Sequence, residues 1–310
     1  MVLQEKTIVR SGVTRPPGRP LSRRKGRLTR PLARMLTYTL LILLSLIFLA
    51  PIGWMFSTAL KTLGDVARFP PALIPSPVVW SNFATAVTAV PFLQYMANST
   101  AYVALALIGD VFSSAFIAYG FACLRFRYRE AIFLCVLMTM MVPYEVQLLP
   151  QFILFKGLGW INTYLPLIVP TFFGSPYLIF LLRQAFRAIP RELLEAARID
   201  GAGYLMIWWR FILPLSKPAL AAVAIFSFMF HWNDFTGPLV YLNSNELYPV
   251  SLGLAQYTAA YGGTLWNLLM AASLVAVLPC VVIFFIAQRQ LIANILIGGA
   301  RKGGEQSSEA

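Results

Sequence analysis

Long apolar stretches separated by short polar ones run through the chain from about residue 35 onward. Six of them are long enough to cross a hydrocarbon layer as helices, at residues 35–59, 98–123, 131–149, 165–182, 219–242 and 268–287. Strict alternation, the mark of strands, is absent from them, so the pattern predicts an all-α membrane protein with six transmembrane helices. Residues 1–34 and 288–310 are read as tails outside the spans, and residues 183–217 as a large polar insert between the fourth and fifth. Between the first two spans, Pro70, Pro71, Pro75, Pro77 and Pro91 predict an irregular loop over residues 61–97. Further prolines punctuate the spans themselves: Pro143 and Pro150 around the end of the third, and Pro166, Pro170 and Pro176 in the fourth.

Composition sharpens this reading. Of the 310 residues, 58% are hydrophobic and only 12% charged, whereas soluble domains run near 45–50% and about 25%. A water-facing exterior is thereby excluded for most of the chain. Lys and Arg then orient the spans, because cytoplasmic loops retain positive charge. Twenty-two of the 25 basic residues fall in the two tails, the loop at residues 125–130 and the insert, while the alternate loops hold Lys61, Arg68 and Lys156. Six crossings with both termini in the cytoplasm give this partition; five or seven would spoil it.

The net charge of +13 does not point to nucleic acid, since the basic residues flank apolar spans where lipid explains them. The Arg- and Pro-rich start, TRPPGRPLSRRKGRLTRP, has no periodicity and is expected to be disordered, as an anchor on anionic lipid or a partner site. The first apolar run exceeds a signal-peptide core, so it is expected to remain as an uncleaved span. Cys123, Cys135 and Cys280 have neither disulfide nor metal-ligand spacing and are expected to pack as small apolar residues.

Several chemistries are excluded by what is missing. No GxxxxGK[ST] phosphate loop is present, His231 is the lone histidine with no HExxH context, and no GxSxG elbow occurs. No catalytic residue and no metal ligand is assigned. The feature with most information is the charged insert EAARIDGAGYLMIWWRFILPLSKP. Pro190 suits the first turn of a helix, and Ile189, Leu193, Ala196, Ala197 and Gly201 recur at helical spacing. Arg191, Glu195 and Arg198 occupy another face at spacings that permit ion pairs. Small residues on the first stripe allow close backbone approach, which favours seating in a partner's groove over lying on the bilayer.

This insert resembles the EAA signature of the membrane subunits of bacterial ABC importers, with Glu195, Ala196, Ala197, Asp200, Gly201, Leu213 and Pro214 in matching places. Phe211 stands where the pattern usually has isoleucine. Segments FPPALIPSPVVWSNF, AYGFACLRFRYRE, MMVPYEVQLLPQF, LGWINTYLPLIVP, WNDFTGPLVYL and QRQLIANILIGGARKG are similar to the carbohydrate-uptake branch, in particular the smaller permease like that of the maltose transporter. The resemblance implies a cytoplasmic coupling helix docking on an ATPase, in a permease domain over residues 35–287. It further implies a second homologous permease subunit, two ATP-binding cassette subunits and an extracytoplasmic sugar-binding protein. ATP and magnesium belong to the partner ATPase, with no cofactor on this chain. The C-terminal tail reaches the ATPase dimer in related permeases, although Asn294, Ile295, Leu296 and Ile297 replace their usual Gly-Leu-Thr segment.

Polar residues in or near the spans complete the candidates. Asp110, Glu145, Asn233 and Asp234 are costly in lipid and should face a bundle interior or a water-filled path. Glu145 beside Pro143, and Asn233 with Asp234 among Trp232, Phe235 and Tyr241, combine hydrogen-bonding and aromatic groups in a manner suited to sugar. A structural role in holding broken helices is the competing reading. The expected function is a multi-pass inner-membrane permease subunit of an ATP-driven carbohydrate importer, itself without enzymatic activity. A permease for glycerol phosphate, a non-transport receptor or scaffold, and an intramembrane enzyme are the alternatives.

Overall fold

The computed structural model describes residues 29–259 and 263–305, with side chains over 34–258 and 263–288. The basic tail over residues 1–28 and the last five residues lie outside the described part, as do the side chains of the Asn294–Ile297 segment. In chain order the helices are α1 Thr29–Ala59, α2 Leu63–Val66, α3 Ser81–Ala89, α4 Phe92–Cys123, α5 Arg129–Met138, α6 Tyr144–Gly157, α7 Leu165–Ile168 and α8 Pro176–Arg187. They continue as α9 Arg191–Ile199, α10 Tyr204–Ile207, α11 Leu213–Leu215, α12 Lys217–Trp232, α13 Thr236–Tyr241, α14 Val250–Leu254, α15 Gln256–Ala259 and α16 Trp266–Glu305. No strand occurs among the described residues. Of the described residues, those up to Pro51 fall in one unit and those from Ile52 onward in another; the packing described below is that of the second.

Four helical segments, Arg34–Ala59, Phe92–Cys123, Leu165–Arg187 and Trp266–Gln288, are long and apolar enough to cross a membrane. Two bent pairs make six when each is taken as one span. The third span expected at residues 131–149 is one of these pairs: Arg129–Met141 and Tyr144–Gly157 meet at 95°. Pro143 has no N–H to continue the ladder and forces Val142 into extended backbone, so the helix restarts in a new direction. The fifth span also departs from its expected bounds. α12 ends at Trp232, three residues before α13, and the other bent pair joins Tyr204–Leu215 to Lys217–Trp232 at 82°.

Pro166, Pro170 and Pro176 do not kink a continuous helix. Each sits in the first turn of a separate piece, namely α7, the 3₁₀ turn Val169–Phe173 and α8, where the missing N–H has no partner to lose. Within the expected irregular loop, α3 forms in the proline-free stretch after Pro77. It is fastened by Asn82, whose Nδ2 donates to the carbonyls of Ala59 and Lys61 at 2.8 Å each. α16 continues to Glu305 instead of ending at residue 287.

α4 organises this unit. It carries no internal proline, and at 32 residues it spans about 48 Å. Its first half packs Phe92, Tyr95, Tyr102 and Val103 into one apolar cluster with Trp232, Tyr241, Tyr257 and Ala272. Its second half packs Ala115, Ala118, Tyr119 and Phe121 into another with Leu178, Leu182, Phe186, Ile207 and Trp208. Between these clusters the buried residues Asp110, Ser113 and Ser114 form a polar step on the same helix. Small residues let neighbours approach closely here. A methyl group on Gly109 would lie 2.2 Å from Oγ1 of Thr171.

Candidate functional site

The insert folds as the sequence pattern requires at its ends and differs on its faces. Pro190 precedes the first turn of α9 in extended backbone. At the far end Gly201 takes φ +83°, a left-handed conformation that L side chains rarely adopt. The N–H of Gly201 donates to the carbonyl of Arg198 at 3.0 Å, and that of Ala202 to Ala197 at 2.9 Å. This pair of bonds closes the helix in a Schellman arrangement. Gly201 is therefore accounted for by the turn it makes.

The stripe of small residues divides. Ala197 is 4% exposed and packs into this chain's own cluster with Phe186, Ile207 and Trp208. Ala196, Leu193 and Gly201 stay exposed, as do Glu195 and Asp200. The reason is geometric: α9 must rest one edge on the rest of the chain to be held at all, and Ala197 lets it come close. Ion pairs among Arg191, Glu195 and Arg198 do not form. Glu195 instead borders a cavity shared with Arg125, Arg187 and Arg191.

After α9 the chain returns through α10, a π-helical turn at Trp208–Ile212, and α11, where Leu213 is half-buried and Pro214 exposed. The indole of Trp208 meets the rings of Phe112 and Phe116 on α4 edge-on, each at 5.4 Å. Ser216 then marks the 82° bend into α12. α9 is thus tied by Ala197 to the cluster around α4 and α8, and by Trp208 to α4 itself. A push on α9 has a packed route into two membrane-crossing helices.

A second fastening was not legible in the charge pattern, which counts Arg183 as one more loop cation. Arg183 is 3% exposed, one turn before the end of α8. Its Nη2 donates to both carboxylate oxygens of Glu130 at 2.5–2.6 Å, its Nε to the carbonyl of Phe121 at 3.3 Å, and its guanidinium lies 3.9 Å from the Phe133 ring centre. Three helices, α4, α5 and α8, therefore meet on one side chain. The tight spacing of apolar residues around position 183 is the only sequence signal for its burial.

The candidates for a polar path separate into three situations. Glu145 is exposed in the first turn of α6, where a carboxylate suits the helix N-terminus. Asn233 is exposed and donates from Nδ2 to the carbonyl of Met229 at 2.7 Å, finishing α12. Asp234 accepts from the N–H of Gly237 at 3.0 Å, starting α13, and its own carbonyl accepts from Ser251 at 2.6 Å. Trp232, by contrast, turns into the core: it is 5% exposed, stacks on Phe228, and donates from Nε1 to the carbonyl of Ala276 at 3.2 Å. It pins α12 to α16.

Asp110 finds its partners across the bundle. Its Oδ2 accepts from Oγ of Ser227 at 2.8 Å and lies 2.9 Å from Nε2 of His231, all three residues being buried. Tyr102 donates its hydroxyl to the His231 carbonyl and stacks on Tyr164 at 6.0 Å. Two ionisable residues placed in separate apolar runs each need an internal partner. That requirement was the available signal, although sequence separation hid the pairing.

Comparison with known proteins follows this geometry. The family described as binding-protein-dependent transport system inner membrane component matches residues 111–296, which include the insert and the polar layer from Ser113 to His231. The arabinooligosaccharides transport system permease protein AraQ of Bacillus subtilis is 34% identical over 84% of this chain and 93% of that protein. The sn-glycerol-3-phosphate transport system permease protein UgpE of Agrobacterium fabrum is 31% identical over 86% of this chain and 97% of its own length. Among solved structures, a chain of a bacterial ABC transporter involved in the import of the acidic polysaccharide alginate has a TM-score of 0.72 at 23% identity. The match covers 86% of this chain and 98% of that one.

Proposed function

The chain belongs to the family of binding-protein-dependent transport system inner membrane components, and on that premise we propose that it is the permease subunit of an ATP-driven importer whose cargo is a carbohydrate. The observation that carries the cargo is the 34% identity to an arabinooligosaccharide permease along nearly the whole chain. The exposed Glu145 and Asn233 and the part-buried Asp234 offer acceptors and an amide that suit a neutral polyhydroxyl cargo.

In this reading ATP and magnesium reside on a partner ATPase. A second permease and an external binding protein complete the assembly, and both termini of this chain lie in the cytoplasm. Closure of the ATPase moves α9, with Glu195, Ala196, Asp200 and Gly201 on its exposed side. Ala197, Trp208 and Arg183 convey the displacement to α4 and α8. Leu213 and Pro214 shape the return into α12, so that the polar path alternates between the two sides as packed helices rock as rigid bodies.

A glycerol phosphate cargo is the second reading, favoured by the 31% identity to such a permease. Reconstitution with the cognate partners separates the two. ATP-dependent uptake of a labelled neutral oligosaccharide, undiminished by excess sn-glycerol 3-phosphate, is expected. Uptake of the phosphate ester in its place would overturn the carbohydrate reading, and accumulation without ATP would overturn the importer itself.

A further inference from the structure

Beside α9 a cavity of about 400 Å³, partly open to solvent, lies at the ends of α4 and α8. Its wall carries five guanidinium groups, those of Arg125, Arg129, Arg187, Arg191 and Arg198, against one carboxylate, Glu195. Arginine stays charged at any physiological pH, so the imbalance cannot be removed by titration. Two of the five have occupations. Arg129 donates to the carbonyl of Leu124 at 3.1 Å and to Glu130, and Arg198 lies over the Tyr204 ring at 5.0 Å. Among the described residues, no hydrogen bond or ion pair engages the guanidinium of Arg125, Arg187 or Arg191, although each borders the same space. Beneath them the floor is apolar, with Phe186 fully buried and Leu124 and Leu194 half-buried.

Four of the five, Arg125, Arg187, Arg191 and Arg198, are exposed, so solvent screens part of their mutual repulsion, and an anion among them relieves what remains. Guanidinium groups from the α4–α5 loop, from α8 and from α9 converge, and their planar paired donors match phosphate oxygens better than any single-point acceptor. The cavity lies at the ends of two membrane-crossing segments, Phe92–Cys123 and Leu165–Arg187, where a bilayer presents its headgroups. Basic pockets between helix ends are the usual seat of acidic headgroups. Glu195 faces the same space, and its charge disfavours a second anion there.

We propose that this cavity binds a phosphate group, carried by an acidic phospholipid or by a free phosphorylated solute, and that its occupancy steadies α9 against α4 and α8. The proposal rests on the chain being embedded in a membrane and not on the identity of its cargo, so it fails separately from the transport reading. The test uses the assembled complex in nanodiscs of phosphatidylcholine with increasing phosphatidylglycerol, and in a parallel arm phosphatidylcholine with added inorganic phosphate. Thermal unfolding is the readout.

Stabilisation by phosphatidylglycerol alone identifies the lipid as source, and stabilisation by inorganic phosphate identifies a solute; both support the site. In the double variant Arg187→Gln/Arg191→Gln, half-saturation should shift by about tenfold or more. Arg187→Lys/Arg191→Lys, which preserves charge and fold, should recover part of the response. Lys156→Gln, a charge removed elsewhere, should leave it unchanged. An equal response of wild type and the double glutamine variant, a loss of the response in Lys156→Gln, or indifference to both anions would overturn the proposal.

Discussion

Nε2 of His231 lies 2.9 Å from Oδ2 of Asp110, with both side chains buried and the Ser227 hydroxyl donating to the same carboxylate oxygen at 2.8 Å. The three groups cross from α4 to α12 at the level where the two apolar clusters of the fold adjoin. Removing the acceptor leaves two buried polar groups unsatisfied at once. Asp110→Ala is therefore expected to destabilise the protein by about 1–3 kcal/mol. Asp110→Asn, which retains an acceptor oxygen for Ser227, should cost less. Thermal unfolding of both variants in nanodiscs checks the order, and equal losses would show that burial of the carboxylate, not its bonding, sets the effect.

The closest approach of α4 to the 3₁₀ turn after α7 is at Gly109, where an added methyl would lie 2.2 Å from Oγ1 of Thr171 and 2.8 Å from the Phe172 ring. The turn is also held to α4 one helical turn further on, where Ser113 donates to the carbonyl of Thr171 at 2.9 Å. Gly109→Ala should therefore cost about 1–3 kcal/mol by overpacking. Gly120, on the same helix with nothing within 4 Å of a methyl, provides the contrast. Gly120→Ala should be neutral or stabilise by about 0.5–1 kcal/mol. The difference in unfolding temperature between these two variants is the measurement.

Much of the fold was legible because lipid imposes simple rules. Apolar length marked the candidate crossings, four of them whole and six with each bent pair taken as one span. What it could not give was which crossings are whole. The break at Pro143 depends on a proline that membrane helices often tolerate, and only its extended neighbour Val142 turns a kink into a 95° bend. Trp232 was attractive as a sugar platform because aromatic rings serve cores and sugars alike. Its fate is decided by Ala276, 44 positions away, whose carbonyl takes the indole proton. Asp234 and Asn233 likewise read as polar path residues, while the structure also gives them capping bonds at a helix break. Local backbone groups meet part of the cost that either would carry in lipid.

Arg183 and Glu130 form a pair in which the cation is buried and the carboxylate largely exposed. Loss of the two partners is consequently unequal. Glu130→Gln leaves the buried guanidinium of Arg183 without its counter-ion, held by neutral groups alone, and should lower the unfolding temperature clearly. Arg183→Met removes the buried charge together with the group on which α4, α5 and α8 meet, and should lower it less. Because this junction also lies between α9 and the spans, Arg183→Met should uncouple ATP hydrolysis from uptake in proteoliposomes. A variant that unfolds earlier yet keeps wild-type stoichiometry of transport to hydrolysis would confine Arg183 to stability.

Gly201 and Ala196 separate two demands that the sequence pattern merges into one small-residue face. Gly201 sits at φ +83° with open space around it, so Gly201→Ala meets no neighbour and pays only the left-handed conformation, about 1–2 kcal/mol. The cost falls on the end of α9, and should appear as faster hydrogen exchange at the Gly201 and Ala202 amides that close the helix. Ala196 has ordinary helical geometry and an exposed side chain, so Ala196→Trp should leave the unfolding temperature of the isolated chain unchanged. If the exposed side of α9 is where the ATPase seats, the indole blocks it, and the partner should fail to co-purify. Retention of the ATPase by Ala196→Trp, with normal transport, would move the docking contact away from this side of the helix while leaving the Gly201 result intact.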